Sequence, residues 1–134
     1  MSPTGQRSLV LILARDLGTS LATPVFIVDE IGDLVFYNEA AGRVLGRPFV
    51  EGESLPAEVW GSAWGQTDEE GNPLGPEEIP LWTAFTEQRA AHRHIIITGG
   101  DEVRRRLSIT AFPLYARADE FVGALAVFWD TSEV

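Results

Sequence analysis

The stretch DEIGDLVFYNEAAGRVLG, residues 29–46, packs a turn, a strand, a capped helix and a stop into eighteen residues. Asp29 to Asp33 forms the turn, with Gly32 free to take a positive φ. LVFY, residues 34–37, is apolar, with a β-branched and two aromatic side chains, and predicts a strand. Asn38 stands as a helix N-cap, because its side-chain oxygen can accept from an early backbone N–H. EAAGRVL is the short helix, and Gly46 sits where a left-handed stop is expected. No residue in the unit reads as catalytic.

Upstream, PVFIVD (24–29) predicts a strand that pairs with LVFY as a hairpin. Before it, RSLVLILARDLGTSLA (7–22) carries Leu9, Leu13, Leu17 and Leu21 at i+4 spacing, a stripe widened by Val10, Ile12 and Ala14. That pattern predicts an amphipathic helix, weakened at Gly18. Thr23-Pro24 ends it, since a residue before proline avoids the helical region. Residues 1–6 are a polar tail.

Downstream, residues 47–78 are rich in Pro, Gly and acid, with helical pieces at most around Ala57 to Ala63. IPLWTAFTEQRA (79–90) predicts a helix with Pro80 in its first turn and Leu81, Trp82 and Phe85 on its apolar side. Three strands follow, at 92–98, 103–115 and 121–130, joined by the turns GGDE and ARADE. Strands at both ends with helices between them predict an antiparallel α+β domain over 23–134.

Composition narrows the function. The 134 residues suit one domain, and 45% hydrophobic content suits a globular core. Absence of cysteine removes disulfides, thiolate catalysis and cysteinyl cofactor adducts. A net charge of −10 argues against nucleic acid and against anionic membrane surfaces. The longest apolar run, LVLIL (9–13), falls far short of the ~20 residues of a membrane span. Arg15 and Asp16 interrupt it before it could serve as a secretory signal, so a cytoplasmic location is expected.

Taken in order, PVFIVD with DEIGD, LVFYNEAAGRVLG, DEEGNPLGPEEIPLWTAF, TAFPL and VGALAVFWDTSE resemble the PAS domain family, the sensor and interaction modules of bacterial signalling proteins. Asp130, Ser132 and Glu133 match a closing D-x-[ST]-E signature that often precedes an output module. No such module follows, so the chain is read as a stand-alone domain whose output is a separate effector protein. The resemblance implies a five-stranded antiparallel sheet in spatial order 2-1-5-4-3, with short helices on one face enclosing a pocket.

By that resemblance the pocket side carries Phe26 and Val28, then Ile95 and Ile97, then Leu107, Ile109 and Ala111, then Ala124, Ala126 and Phe128. Trp82 and Phe85 look in from the helix. Polar groups must then come from the loop side, from Trp60, Trp64 or Gln66. Two readings stand open: a pocket for a small, mainly apolar ligand, or a filled core in a pure protein–protein interaction module.

In the last strand Leu125, Val127 and Trp129 share the face opposite Ala124, Ala126 and Phe128, and both faces are apolar. The far face needs a cover, and the N-terminal helix is the one unassigned apolar element. We expect a homodimer through Leu9, Leu13, Leu17 and Leu21 together with Leu125, Val127 and Trp129. In the alternative the helix folds back on its own sheet in a monomer.

No cofactor is expected. The photoreactive flavin relatives need a cysteine, and the side-chain amides of Gln6, Asn38, Gln66, Asn72 and Gln88 are poorly placed for a redox flavin such as FAD. Haem-binding relatives carry their ligand on the helix before the third strand, which has no histidine here. His92 and His94 are two apart on a strand and point out if Ile95 and Ile97 point in. The acidic runs Asp68-Glu69-Glu70 and Glu77-Glu78 lack calcium-loop spacing. Arg105 points inward near the sheet end, where its donor fork suits either an anionic ligand or an ion-pair network. No serine lies in a nucleophile context and no glycine-rich loop cradles a phosphate, so no enzyme is expected.

Overall fold

A computed structural model describes residues 9–50, 52, 54–60, 65–99 and 101–131. The polar tail, Arg7 and Ser8, the proposed helical residues 61–63, Trp64, Gly100, Ser132 and Glu133 lie outside them. The order is α1 (Leu9–Ser20), β1 (Val25–Asp29), β2 (Leu34–Tyr37), α2 (Glu39–Leu45), α3 (Ala57–Trp60), a 3-10 turn (Pro76–Glu78), α4 (Pro80–Thr86), β3 (Ala91–Thr98), β4 (Arg104–Arg117) and β5 (Glu120–Asp130). All strand pairs are antiparallel, and the spatial order is β2-β1-β5-β4-β3. Among the described residues no helix is long and apolar enough to cross a membrane.

The opening unit folds as read. Asp29 Oδ1 accepts the N–H groups of Ile31 and Asp33 and ties the turn. Burial raises the Asp29 carboxyl above its usual range, although these two donors pull the other way. Gly32 takes φ +91°, and a Cβ there would stand 2.5 Å from Phe85 Cε1. Gly46 takes φ +77° as the left-handed cap of α2, its N–H bonding to the Gly42 carbonyl.

Asn38 does more than cap. Its Oδ1 accepts from Ala41 N–H at 3.0 Å and from Val25 N–H at 3.1 Å. Its Nδ2 donates to the carbonyls of Gly18 at 2.9 Å and Thr23 at 2.8 Å. One buried amide therefore fastens the end of α1, the α1–β1 link, β1 and α2 to each other.

Two apolar clusters lie on opposite faces of the sheet. The inner one joins Val28, Leu34, Ile95, Ile97, Leu107, Ala124 and Phe128 to α2, α3 and α4. The outer one joins Val25, Ile27, Phe36, Val122 and Leu125 to Leu11. Val28 pairs with Leu34 while Ile27 pairs with Phe36, so Val35 is an extra residue on β2. This bulge lets Leu34 and Tyr37 both face inward, although they are three apart.

The end of the helix before β3 differs from the sequence reading. The helix expected over 79–90 ends at Thr86, and Gln88 takes φ +54°, which no helix continues. Gly18 falls inside α1. It lies buried against the sheet, where a Cβ would meet Phe36 Cε2 at 3.4 Å and Val25 Cγ1 at 3.5 Å. A Cβ there would make ordinary van der Waals contact, so helix and sheet pack at a normal distance.

Candidate functional site

The inner face encloses a cavity of about 40 Å³, room for roughly three waters. Its wall comes from Phe26 on β1, Ile95 and Ile97 on β3, Leu107 and Ile109 on β4, and Ala126 and Phe128 on β5. Leu45, Trp60, Gln66, Ile79 and Leu81 close the helical side. Ala111, Ala124 and Ala126 are small side chains on this sheet face, and of the three Ala126 lines the cavity. Phe26 meets Phe128 edge-on, with ring centroids 5.1 Å apart, and so braces one wall.

The expected pocket residues divide. Phe26, Trp60, Ile95, Ile97, Leu107, Ile109 and Phe128 reach the cavity. Val28 is fully buried in the same cluster but does not line the cavity. Trp82 and Phe85 pack against that cluster from outside the wall, edge-on to Trp60 at 6.3 and 6.2 Å. Leu45 and Ile79 line the wall and were not anticipated. Leu45 is the last residue of α2, and Ile79 lies just before Pro80, so neither follows a strand's alternation.

Gln66 supplies the polar element. It lies in a loop anchored to the edge of β3, where Thr67 and Ile96 exchange backbone hydrogen bonds of 2.8 and 2.9 Å. The acidic run turns that loop back on itself. Asp68 Oδ1 accepts from the N–H of Glu70 and of Asn72, and Asn72 Nδ2 donates to Asp68 Oδ2. These bonds, that from the Asn72 side chain first, lower the Asp68 pKa. Gln66 Nε2 donates to the Trp60 carbonyl at 2.9 Å. The Trp60 indole N–H in turn donates to the Gly32 carbonyl at 2.7 Å, away from the cavity. Among the described residues Gln66 Oε1, which is buried, has no hydrogen-bond partner.

The other candidates are engaged elsewhere. Arg105 grips Asp101 with two donors, Nη2 to Oδ2 at 2.9 Å and Nη1 to Oδ1 at 3.2 Å, and Nη1 also donates to the Val44 carbonyl at 2.7 Å. The fork is thereby used to hold the β3–β4 turn against α2. Chiefly through the Arg105 hydrogen bond, the Asp101 carboxyl falls to about 2. His92 and His94 are exposed on the outer face, with ring centroids 5.4 Å apart, and His92 Nδ1 lies 2.7 Å from Thr110 Oγ1. Among the described residues no group of three His, Asp or Glu side chains could hold a metal ion.

The cavity does not fit a flavin ring or a haem. Sites for ligands of drug size and above run from roughly 300 Å³ upward, several times the 40 Å³ present. Among the described residues its wall offers one side-chain amide and no histidine.

On the outer face α1 lies on β1, β4 and β5. It does so with Val10, Leu11, Ala14 and Gly18, not with the leucine stripe. Leu9, Leu13, Leu17 and Leu21 therefore face outward, Leu13 and Leu17 at 57% and 60% exposure. Of the three residues expected beside them, Leu125 is buried under the same chain's helix and Val127 is half-buried there. Only Trp129 of these three stays exposed, at 48%. Folding back and presenting an apolar stripe are thus not alternatives, because α1 has two apolar faces.

A sheet of this order, closed on one face by short helices around a small apolar cavity, defines a sensor-domain fold. The chain belongs to the PAS fold family, whose model matches residues 19–134. Solved structures agree on the fold. A PAS domain from Colwellia psychrerythraea is 16% identical with a TM-score of 0.64, covering 93% of this chain and 99% of that one. The PAS domain of the fruit-fly ELK potassium channel is 10% identical with a TM-score of 0.72, over 93% and 99% of the two chains. A Rhodobacter sphaeroides LOV protein is 14% identical with a TM-score of 0.70, over 94% of this chain and 70% of that one. No curated protein matches the chain. The family makes this a sensory domain of the signalling type.

Proposed function

We propose that this chain is a cytoplasmic, non-catalytic sensor that binds a small, mainly apolar ligand on the inner sheet face and relays it through a homodimer to a separate effector protein. Neither flavin nor haem takes part in this reading. The observation that carries it is the construction of β5. Ala126 and Phe128 line the cavity, while Leu125 and Val127, alternating with them, lie under α1. A ligand that moves one face of that strand acts on the helix through the other. Leu9, Leu13, Leu17 and Leu21, with Trp129, form the proposed dimer contact.

The small size of the cavity favours a second reading, an interaction module with a filled core. Pressurised xenon separates the two, since it enters dry apolar cavities without needing a polar partner. Saturable shifts of the Ile95, Ile97 and Leu107 methyl resonances support a ligand site, and their absence supports the filled core. Native mass spectrometry with an absorbance scan tests the remainder. A colourless dimer is expected. A monomer contradicts the role given to α1, and a visible band contradicts the exclusion of flavin and haem.

A further inference from the structure

Gln66 is 7% exposed, and its backbone is held in place, its carbonyl accepting from Leu74 N–H at 2.9 Å. Its amide has one workable orientation. With Nε2 on the Trp60 carbonyl the bond is satisfied, whereas the flipped amide would set two oxygens against each other. Oε1 is thereby left, among the described residues, as a buried acceptor without a donor, on a residue that lines the cavity. A buried amide oxygen in that state is costly unless something meets it.

Water is a poor candidate. A buried water typically makes about three hydrogen bonds, and cavities with apolar walls stay dry. The other walls named above are Ile, Leu, Phe, Ala and the ring of a Trp whose N–H is already committed to Gly32. A charged molecule would lose its hydration with no counter-charge on the wall, and a second polar group would find no partner.

We propose that the cavity takes a small neutral molecule with a single hydrogen-bond donor on an apolar body of a few carbons, in its simplest form a short alcohol, whose O–H donates to Gln66 Oε1. The proposal rests on reading the cavity as a ligand site. The apolar body fills the space left by the small side chain of Ala126, and the donor supplies what the protein lacks. Gln66 then acts as the specificity-determining residue. The loop that carries it is fixed by the Asp68 turn and by β3 rather than by the ligand.

The test uses 1-propanol and its isomer ethyl methyl ether, equal in formula but without an O–H. Both are titrated into the full chain while the Gln66 side-chain amide and the Ile95, Ile97 and Leu107 methyl resonances are followed. Propanol is expected to bind saturably and about tenfold more tightly than the ether. In Gln66→Met, similar in volume but without the amide, that preference is expected to fall below about twofold. Equal affinities for the two isomers in the native chain would overturn the proposal, and this comparison does not require the variant to fold. A preference unchanged in Gln66→Met would overturn it as well. So would a long-lived water at the Gln66 amide that propanol does not displace. If xenon enters but the isomers bind alike, the ligand-site reading survives and this proposal falls. If none of the three enters, both fall.

Discussion

The two faces of this sheet are closed in different ways. On the inner face α2, α3, α4 and the Gln66 loop fit around a row of alanines and leave only a void of about 40 Å³. On the outer face a single helix covers Val25, Ile27, Val122 and Leu125 and stops there. Beyond its edge Phe112 and Trp129 remain exposed, as does the leucine stripe on the helix's far side. Many short elements can adjust to a surface, so the inner face becomes a core with a small, chemically defined gap. One straight helix cannot, and it leaves apolar surface of the kind that marks an interaction site. On the proposed reading the inner face takes a small molecule and the outer face a second chain.

Asn38 links the two faces, and removing it should have the largest effect. Asn38→Ala leaves the N–H groups of Val25 and Ala41 and the carbonyls of Gly18 and Thr23 without their partner. The expected loss is about 2–4 kcal/mol in urea unfolding, with early loss of hydrogen-exchange protection in α1. A loss typical of a surface cap alone, about 1 kcal/mol, would mean that the faces are not joined there.

A double change at Leu13→Glu and Leu17→Glu addresses the outer face alone. Burying four like charges in a two-fold contact should weaken the dimer about a hundredfold or more, read by sedimentation velocity. Thermal stability of the monomer should change little, because both side chains already face outward. A large fall in melting temperature would instead assign these leucines to the monomer's own core.

Ala126→Val sharpens the reading of the inner face. The two added methyl groups occupy the gap, so stability should stay within about 1 kcal/mol of the native chain, while xenon no longer enters. A loss of about 2–3 kcal/mol would indicate overpacking of a core that was already full.

The smallest effect concerns the turn that Arg105 holds. The Asp101 carboxyl is lowered from 3.8 to about 2, so the folded state binds its proton less readily than the unfolded state. Its contribution is fully present above pH 3.8 and is lost as the pH falls through about 2. Asp101→Asn should flatten the acid limb of the stability curve across that window and leave its slope near neutrality unchanged. An unaltered acid limb would contradict the Arg105–Asp101 grip.

Much of this was legible in the sequence because it depends on local rules. The i+4 leucines, the Asn38 cap, the Gly46 stop and the alternation in the last strand each follow from backbone geometry, while the order of the sheet came from the family resemblance. The site was less legible for identifiable reasons. The family resemblance placed Ile95, Ile97, Leu107 and Ile109 on the inner face, but it gave no place there to Leu45 or Ile79, which lie at helix and loop ends. The bulge at Val35 breaks the two-residue period within β2. The acidic run at Asp68 reads as a solvated loop, because nothing local reveals that Thr67 pairs with Ile96 about thirty residues away. Nor could the stripe on α1 reveal that a narrower face of Leu11, Ala14 and Gly18 is the one on the sheet. That choice depends on which face fits the sheet surface, and hydrophobic spacing does not encode it.

The central claim is that the two faces communicate through β5, and linkage tests it most directly. The dimer dissociation constant of the full chain, measured by sedimentation equilibrium with and without saturating 1-propanol, should differ by about fivefold or more, the scale of ordinary coupling between sites. A constant that does not move while propanol occupies the cavity would contradict the account, because a ligand with equal affinity for both states shifts neither.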